Sequence, residues 1–69
     1  HKPQAPDYMN AGHVAWVMGN IEKTIELYSK SVVAIHGRQQ FITMFNKDKP
    51  ILIQHGINKD DIPLMLDLI

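Results

Sequence analysis

This sequence predicts an all-α fold, an antiparallel helical hairpin followed by two to three further short helices. Three observations carry that expectation. From Tyr8 to Ile35, apolar and small residues recur at three- and four-residue spacing in two stretches, the period of a helix face. The two stretches meet at Gly19-Asn20, a pair suited to a sharp reversal of the chain. The remaining glycines, Gly12, Gly37 and Gly56, stand singly where helices would touch or end.

The opening residues, HKPQAP, hold two prolines and no apolar period, so residues 1–6 read as an extended lead-in. Asp7 is then a natural N-cap. One face of the first helix carries Tyr8, Ala11, Gly12, Ala15, Met18 and Gly19, and its small members Ala11, Gly12 and Ala15 form a groove for larger side chains of a second helix. That helix supplies Ile21, Thr24, Ile25, Tyr28, Ser31, Val32 and Ile35. Glu22, Lys23, Glu26 and Lys30 take its opposite side, with Glu26 and Lys30 at the favourable i, i+4 spacing.

His36-Gly37 marks the next break, because glycine commonly follows a helix end. A third helix has Phe41, Ile42, Met44 and Phe45 on its apolar side until Pro50, which restricts the residue before it and should stop or kink the helix. Ile51 to Gln54 is short enough for a helical piece or a strand-like run, closed by Gly56. Asn58 or Asp60 can cap the last helix, with Ile57 stapled against Ile62. Its body, IPLMLDLI, has Asp67 as its one clearly polar residue and requires a covering surface.

At 69 residues the chain is one small domain whose folding hides only about 60% of the surface of its unfolded form, so its stability is marginal. Seven Lys and Arg balance seven Asp and Glu. That leaves no basic field to steer the domain to nucleic acid or to an anionic membrane. Without cysteine there are no disulfides and no thiolate metal site. The apolar runs are far shorter than the ~20 residues that cross a bilayer, which argues for a soluble chain and against a membrane partner. A first residue that is His1 rather than Met suggests a piece of a longer product, any targeting signal of which would lie upstream. The compartment stays open, with the cytoplasm slightly favoured.

Tyr8, Ala11-Gly12, Gly19, Thr24, Tyr28 and Ser31 fall in the order and at the offsets of aromatic, aliphatic-glycine, turn, small, aromatic and small positions in a tetratricopeptide repeat, a helix-turn-helix of roughly 34 residues. Over about residues 5–38 the chain resembles that family. Two positions depart from its pattern. Ala15 replaces the second aromatic of the first helix, with Trp16 beside it, and His36 stands where a proline is usual. No second copy follows, so the resemblance implies one hairpin over residues 7–36 and a helical cap over residues 37–69, within an α-α superhelix type of fold. It also implies a non-enzymatic scaffold that binds a protein or peptide in the groove lined by the first helix, with no cofactor. His13 would line this groove. A lone repeat cannot close its own core, which predicts an upstream array or a homodimer formed through Trp16, Phe41, Phe45 and the last helix, Leu66 included.

Chemistry finds little support. His1, His13, His36 and His55 are scattered, with no i, i+4 pair to place two metal ligands on one helix face. Ser29 and Ser31 have only Lys30 and Glu26 for company, which makes no triad. Asp60-Asp61 fits helix capping better than acid-base catalysis. The isolated glycines cradle no phosphate. The alternative reading of the hairpin is a helix-turn-helix DNA-binding domain, but in IEKTIELYSKS two glutamates offset two lysines where a basic footprint is needed.

Overall fold

The computed structural model describes residues 2–69, so His1, one of the four histidines weighed above, lies outside the described residues. Those residues form four helices: α1 (Ala5–Val17), α2 (Ile21–Ala34), α3 (Arg38–Gln54) and α4 (Asp61–Asp67). There is no strand among them, and the protein is all-α.

Helix α1 starts two residues before the expected cap at Asp7. Gln4 is the N-cap, and its backbone N–H donates to Asp7 Oδ2 at 2.8 Å while its side chain accepts from the Asp7 backbone. This reciprocal capping box leaves Pro6 in the first turn, where its missing N–H costs nothing. At the other end of the hairpin, Asn20 caps α2 by accepting from the Lys23 backbone at 3.2 Å. On the outer side of α2, Glu26 holds both Lys23 (3.3 Å) and Lys30 (3.4 Å), and Lys23 first, then Lys30, keep its carboxyl below the usual glutamate range.

Three helices end the same way. After α1, α2 and α3 one residue turns left-handed, at Gly19 (φ 83°), His36 (φ 63°) and Gly56 (φ 101°). The next N–H in each case reaches back to a carbonyl five residues earlier: Asn20 to Ala15, Gly37 to Val32, Ile57 to Leu52. These are Schellman closures, which usually place glycine at the left-handed position. The break expected at His36-Gly37 is real, but His36 rather than Gly37 takes the positive φ.

The α1–α2 hairpin is sewn together by groups of unequal size. Tyr28 is fully buried against Gly12, where any β-carbon would collide with the edge of its ring. Ser31, also fully buried, donates from Oγ to the Ala5 carbonyl at 2.8 Å and ties the two far ends. Thr24 satisfies its hydroxyl locally, on the Asn20 carbonyl. Ala15 is buried as expected, but Ala11 is exposed and Tyr8 only half-buried. The buried stripe of α1 is Ala5, Met9, Gly12, Ala15 and Trp16, which turns Ala11 and Met18 away from α2 and corrects the expected face.

Helix α3 lays Phe41 and Phe45 over the hairpin. The Tyr28 ring centroid lies 5.5 Å from that of Phe41, 5.6 Å from Phe45 and 6.2 Å from Trp16, three edge-on contacts at the centre of the core. Pro50 does not stop α3. The helix runs four residues beyond it, so Ile51–Gln54 is helical and not strand-like. Pro50 itself is exposed, and burying Leu52 one half-turn on contributes about 2 kcal/mol, enough to offset one missing backbone hydrogen bond. Helix α4 closes the core with Ile62 and Met65, while Ile57 packs on the same cluster from the loop before it. At its start Asp60 makes no side-chain cap; Asn58 Oδ1 instead accepts from the Asp60 backbone. Arg38 anchors its far end by donating from Nη2 to the Leu66 carbonyl at 2.8 Å.

Candidate functional site

Helix α1 has one charged residue, Asp7, and that carboxylate caps its own helix. Its outward side is consequently apolar as well as its inward side. Val14 is 59% exposed and Met18 78%. Across from them α3 presents Ile51, also exposed. Between the two helices lies an open groove of about 340 Å³, lined by Asn10, His13, Val14, Val17, Met18, Ile51, Leu52 and His55. A second hollow beside the lead-in is bordered by Lys2, Pro3, Tyr8, Ser29, Lys30, Val33 and Ala34. Its lining is apolar too, with Pro3, Tyr8, Val33 and Ala34, and its Lys30 is engaged by Glu26.

His13 sits at the inner wall of the groove and fastens three helices. Its Nδ1 lies 2.6 Å from the Tyr28 hydroxyl on α2, and its Nε2 lies 2.9 Å from Asp48 Oδ2 on α3. A carboxylate only accepts, so Nε2 carries a hydrogen; in the neutral ring Nδ1 is then the acceptor for the Tyr28 O–H. Burial, and after it the negative charge of Asp48, push the Tyr28 hydroxyl well above the ordinary phenol range, which keeps it a donor. The ring also meets Tyr28 and Phe45 edge-on, each at 5.5 Å between centroids. This chain of hydrogen bonds has the parts of a proton relay, but both imidazole nitrogens are occupied and Tyr28 is wholly enclosed. It ties α1 to both α2 and α3 at the inner wall of the groove.

Of the residues expected on a partner-facing surface, His13 lines the groove and Leu66 is half-buried, packed on the core. Trp16, Phe41 and Phe45 are 7, 1 and 0% exposed. They form the interior, and the expectation that they face a partner is corrected. The rings of Trp16, Tyr28, Phe41 and Phe45 are what the small groove of α1 and the closing helices require inside, and Tyr8 is the one large ring left half-buried. The exposed large apolar side chains are instead Val14, Val17, Met18 and Ile51 along the groove, Ile21 and Val33 on α2, Ile53 on α3, Leu64 on α4 and Leu68 just after it. Sequence reasoning placed Met18 nearer the core and passed over Asp48. The signal available for the groove was the near-absence of charge on α1, which left it apolar all round.

Among the described residues no group of three or more His, Cys, Asp or Glu is placed to hold a metal ion, and no helix is long and apolar enough to cross a membrane. Comparison of the chain with known protein families, with curated proteins and with solved structures finds no match.

Proposed function

We propose that this protein is a non-enzymatic helical interaction module, a tetratricopeptide-like hairpin with a helical cap, whose α1–α3 groove receives an apolar segment of a protein partner. The observation that carries the reading is the groove itself. It is a concave surface floored by Val14, Val17, Met18 and Ile51, with the His13 ties to Tyr28 and Asp48 at its inner wall. Exposed apolar side chains gathered in one rigid concavity are what a partner's anchors fill. An apolar helix face meets such a groove through residues three and four apart.

Two further features support the repeat part of the proposal: Tyr28 lies against Gly12 across the hairpin, and buried Thr24 and Ser31 are small where α2 approaches α1. The balanced charge of the chain supports a protein rather than a nucleic-acid partner.

The test is selection of a displayed library of helical peptides on the immobilised protein, with the Val14→Arg variant as counter-target. Val14 is exposed, so arginine there leaves the core intact. Enriched peptides should carry apolar residues at three- and four-residue spacing and lose binding to the variant. Peptides that bind both proteins equally, or no enrichment at all, would overturn the proposal.

A further inference from the structure

The chain holds four methionines and no cysteine, so its most readily oxidised sulfur is a thioether. The fold treats the four unequally. Met9 and Met65 are 2 and 4% exposed, built into the core, and Met44 is half-buried against it. Met18 is 78% exposed, more than any other large apolar side chain among the described residues. It is the C-cap of α1, just before Gly19 turns the chain out of the helix, and it lines the groove beside Val14 and Val17.

A peroxide reaches the Met18 sulfur without any opening of the fold. A lone pair of Sδ attacks one peroxide oxygen, and the S–O bond forms as the O–O bond breaks. The departing hydroxide takes the proton of the transferred oxygen and leaves as water, so sulfur loses two electrons and the peroxide gains them. The product is a sulfoxide, polar and chiral where the thioether was apolar. At Met9 or Met65 the added oxygen would put a polar group into the core and destabilise the fold. At Met18 it stays in water, so the fold is kept and only the lining of the groove changes. Val14, Val17 and Ile51 then share their concavity with an S–O dipole, which an apolar side chain cannot cover without stripping its water.

We infer that Met18 is a reversible oxidation site, the first sulfur of this chain to react with a hydroperoxide, and that its sulfoxide lowers the affinity of the groove for apolar side chains. The second half rests on the groove being a docking site, as proposed above.

The experiment treats the whole chain with graded doses of hydrogen peroxide and locates the added oxygen by peptide mass mapping. Met18 should react at least about tenfold faster than Met9 and Met65, which are reached only through opening of the fold. Protein carrying one oxygen should keep its circular dichroism and melt within about 2 °C of the untreated chain. Methionine sulfoxide reductases, supplied with a dithiol, should remove that oxygen. Peptides enriched in the selection above should bind the singly oxidised protein at least about fivefold more weakly, and the affinity of Met18→Leu, whatever its value, should be the same before and after peroxide. First oxidation at another methionine, or unfolding that accompanies the first oxygen, overturns the site. Oxidation at Met18 that leaves peptide affinity unchanged overturns its effect on the groove while the groove reading stands. A selection that yields no peptide overturns that effect together with the groove reading, and the order of oxidation then decides the site by itself.

Discussion

The ring of Tyr28 rests on the bare backbone of Gly12, a contact so close that a β-carbon at position 12 would overlap the ring edge. The large residue of α2 and the missing side chain of α1 are one feature, because Phe41, Phe45 and Trp16 enclose the other sides of the ring.

Gly12→Ala should therefore destabilise the protein although alanine is the better helix former. The helical gain is at most about 1 kcal/mol. Overpacking a buried site costs about 1–3 kcal/mol and here has no flexible side chain to absorb it. A net loss of about 1–2 kcal/mol lowers the melting midpoint of a chain this size by roughly 4–16 °C. In a Tyr28→Leu background, where the ring is gone, the same change should be neutral or favourable. Equal losses in both backgrounds, measured by thermal unfolding, would show that the ring contact is not the cause.

How much of this was readable beforehand depended on whether local rules decided the outcome. The two hairpin helices and their turn followed from residue spacing and Gly19-Asn20, and Gly12, Ala15, Thr24, Tyr28 and Ser31 all fall inside, because each is the size the helix crossing requires. Pro50 misled because the restriction on the preceding residue is local, while burial of Leu52 beyond it is a tertiary gain that sequence spacing does not weigh. Trp16, Phe41 and Phe45 misled for a related reason. A chain short of apolar volume draws its large rings inward, and a reading that assumed an incomplete core sent them outward. The tie from His13 to Asp48 spans 35 positions. No spacing rule couples residues so far apart, so the wall of the groove became visible only in three dimensions.

Tyr28 also sets a limit on stability in alkali. Its folded-state pKa is raised, by burial first and Asp48 second, so the folded form keeps the proton when the unfolded chain has begun to lose it near pH 10. The stabilisation is complete below the unfolded value and is lost as pH rises toward the folded one, at up to about 1.4 kcal/mol per pH unit from this group. Tyr28→Phe removes that slope along with the hydrogen bond to His13, which is worth about 1 kcal/mol at neutral pH. The stability gap between wild type and variant, from urea unfolding at a series of pH values, should narrow steadily above pH ~10. A gap that stays constant to pH ~11 would mean that the phenol ionises equally in both states.

His36 is where the chain can be made more stable without touching the core or the groove. It holds the left-handed position of the α2 closure at φ 63°, which Gly19 and Gly56 hold in the other two. A proline, fixed near −65°, could not stand there at all. The strain of left-handed backbone in a residue with a β-carbon is about 1–2 kcal/mol, and the unfolded-state entropy of glycine returns about half of it. His36 is exposed and its side chain makes no hydrogen bond among the described residues, so nothing else is lost on replacement. His36→Gly should raise stability by roughly 0.5–1 kcal/mol, a gain of about 2–8 °C in the melting midpoint. His36→Asn, which tolerates the left-handed region better than most residues, should fall between the two. His36→Val, stiff at the β-carbon, should be the least stable of the series, and a flat ranking across all four proteins would remove backbone strain as the explanation.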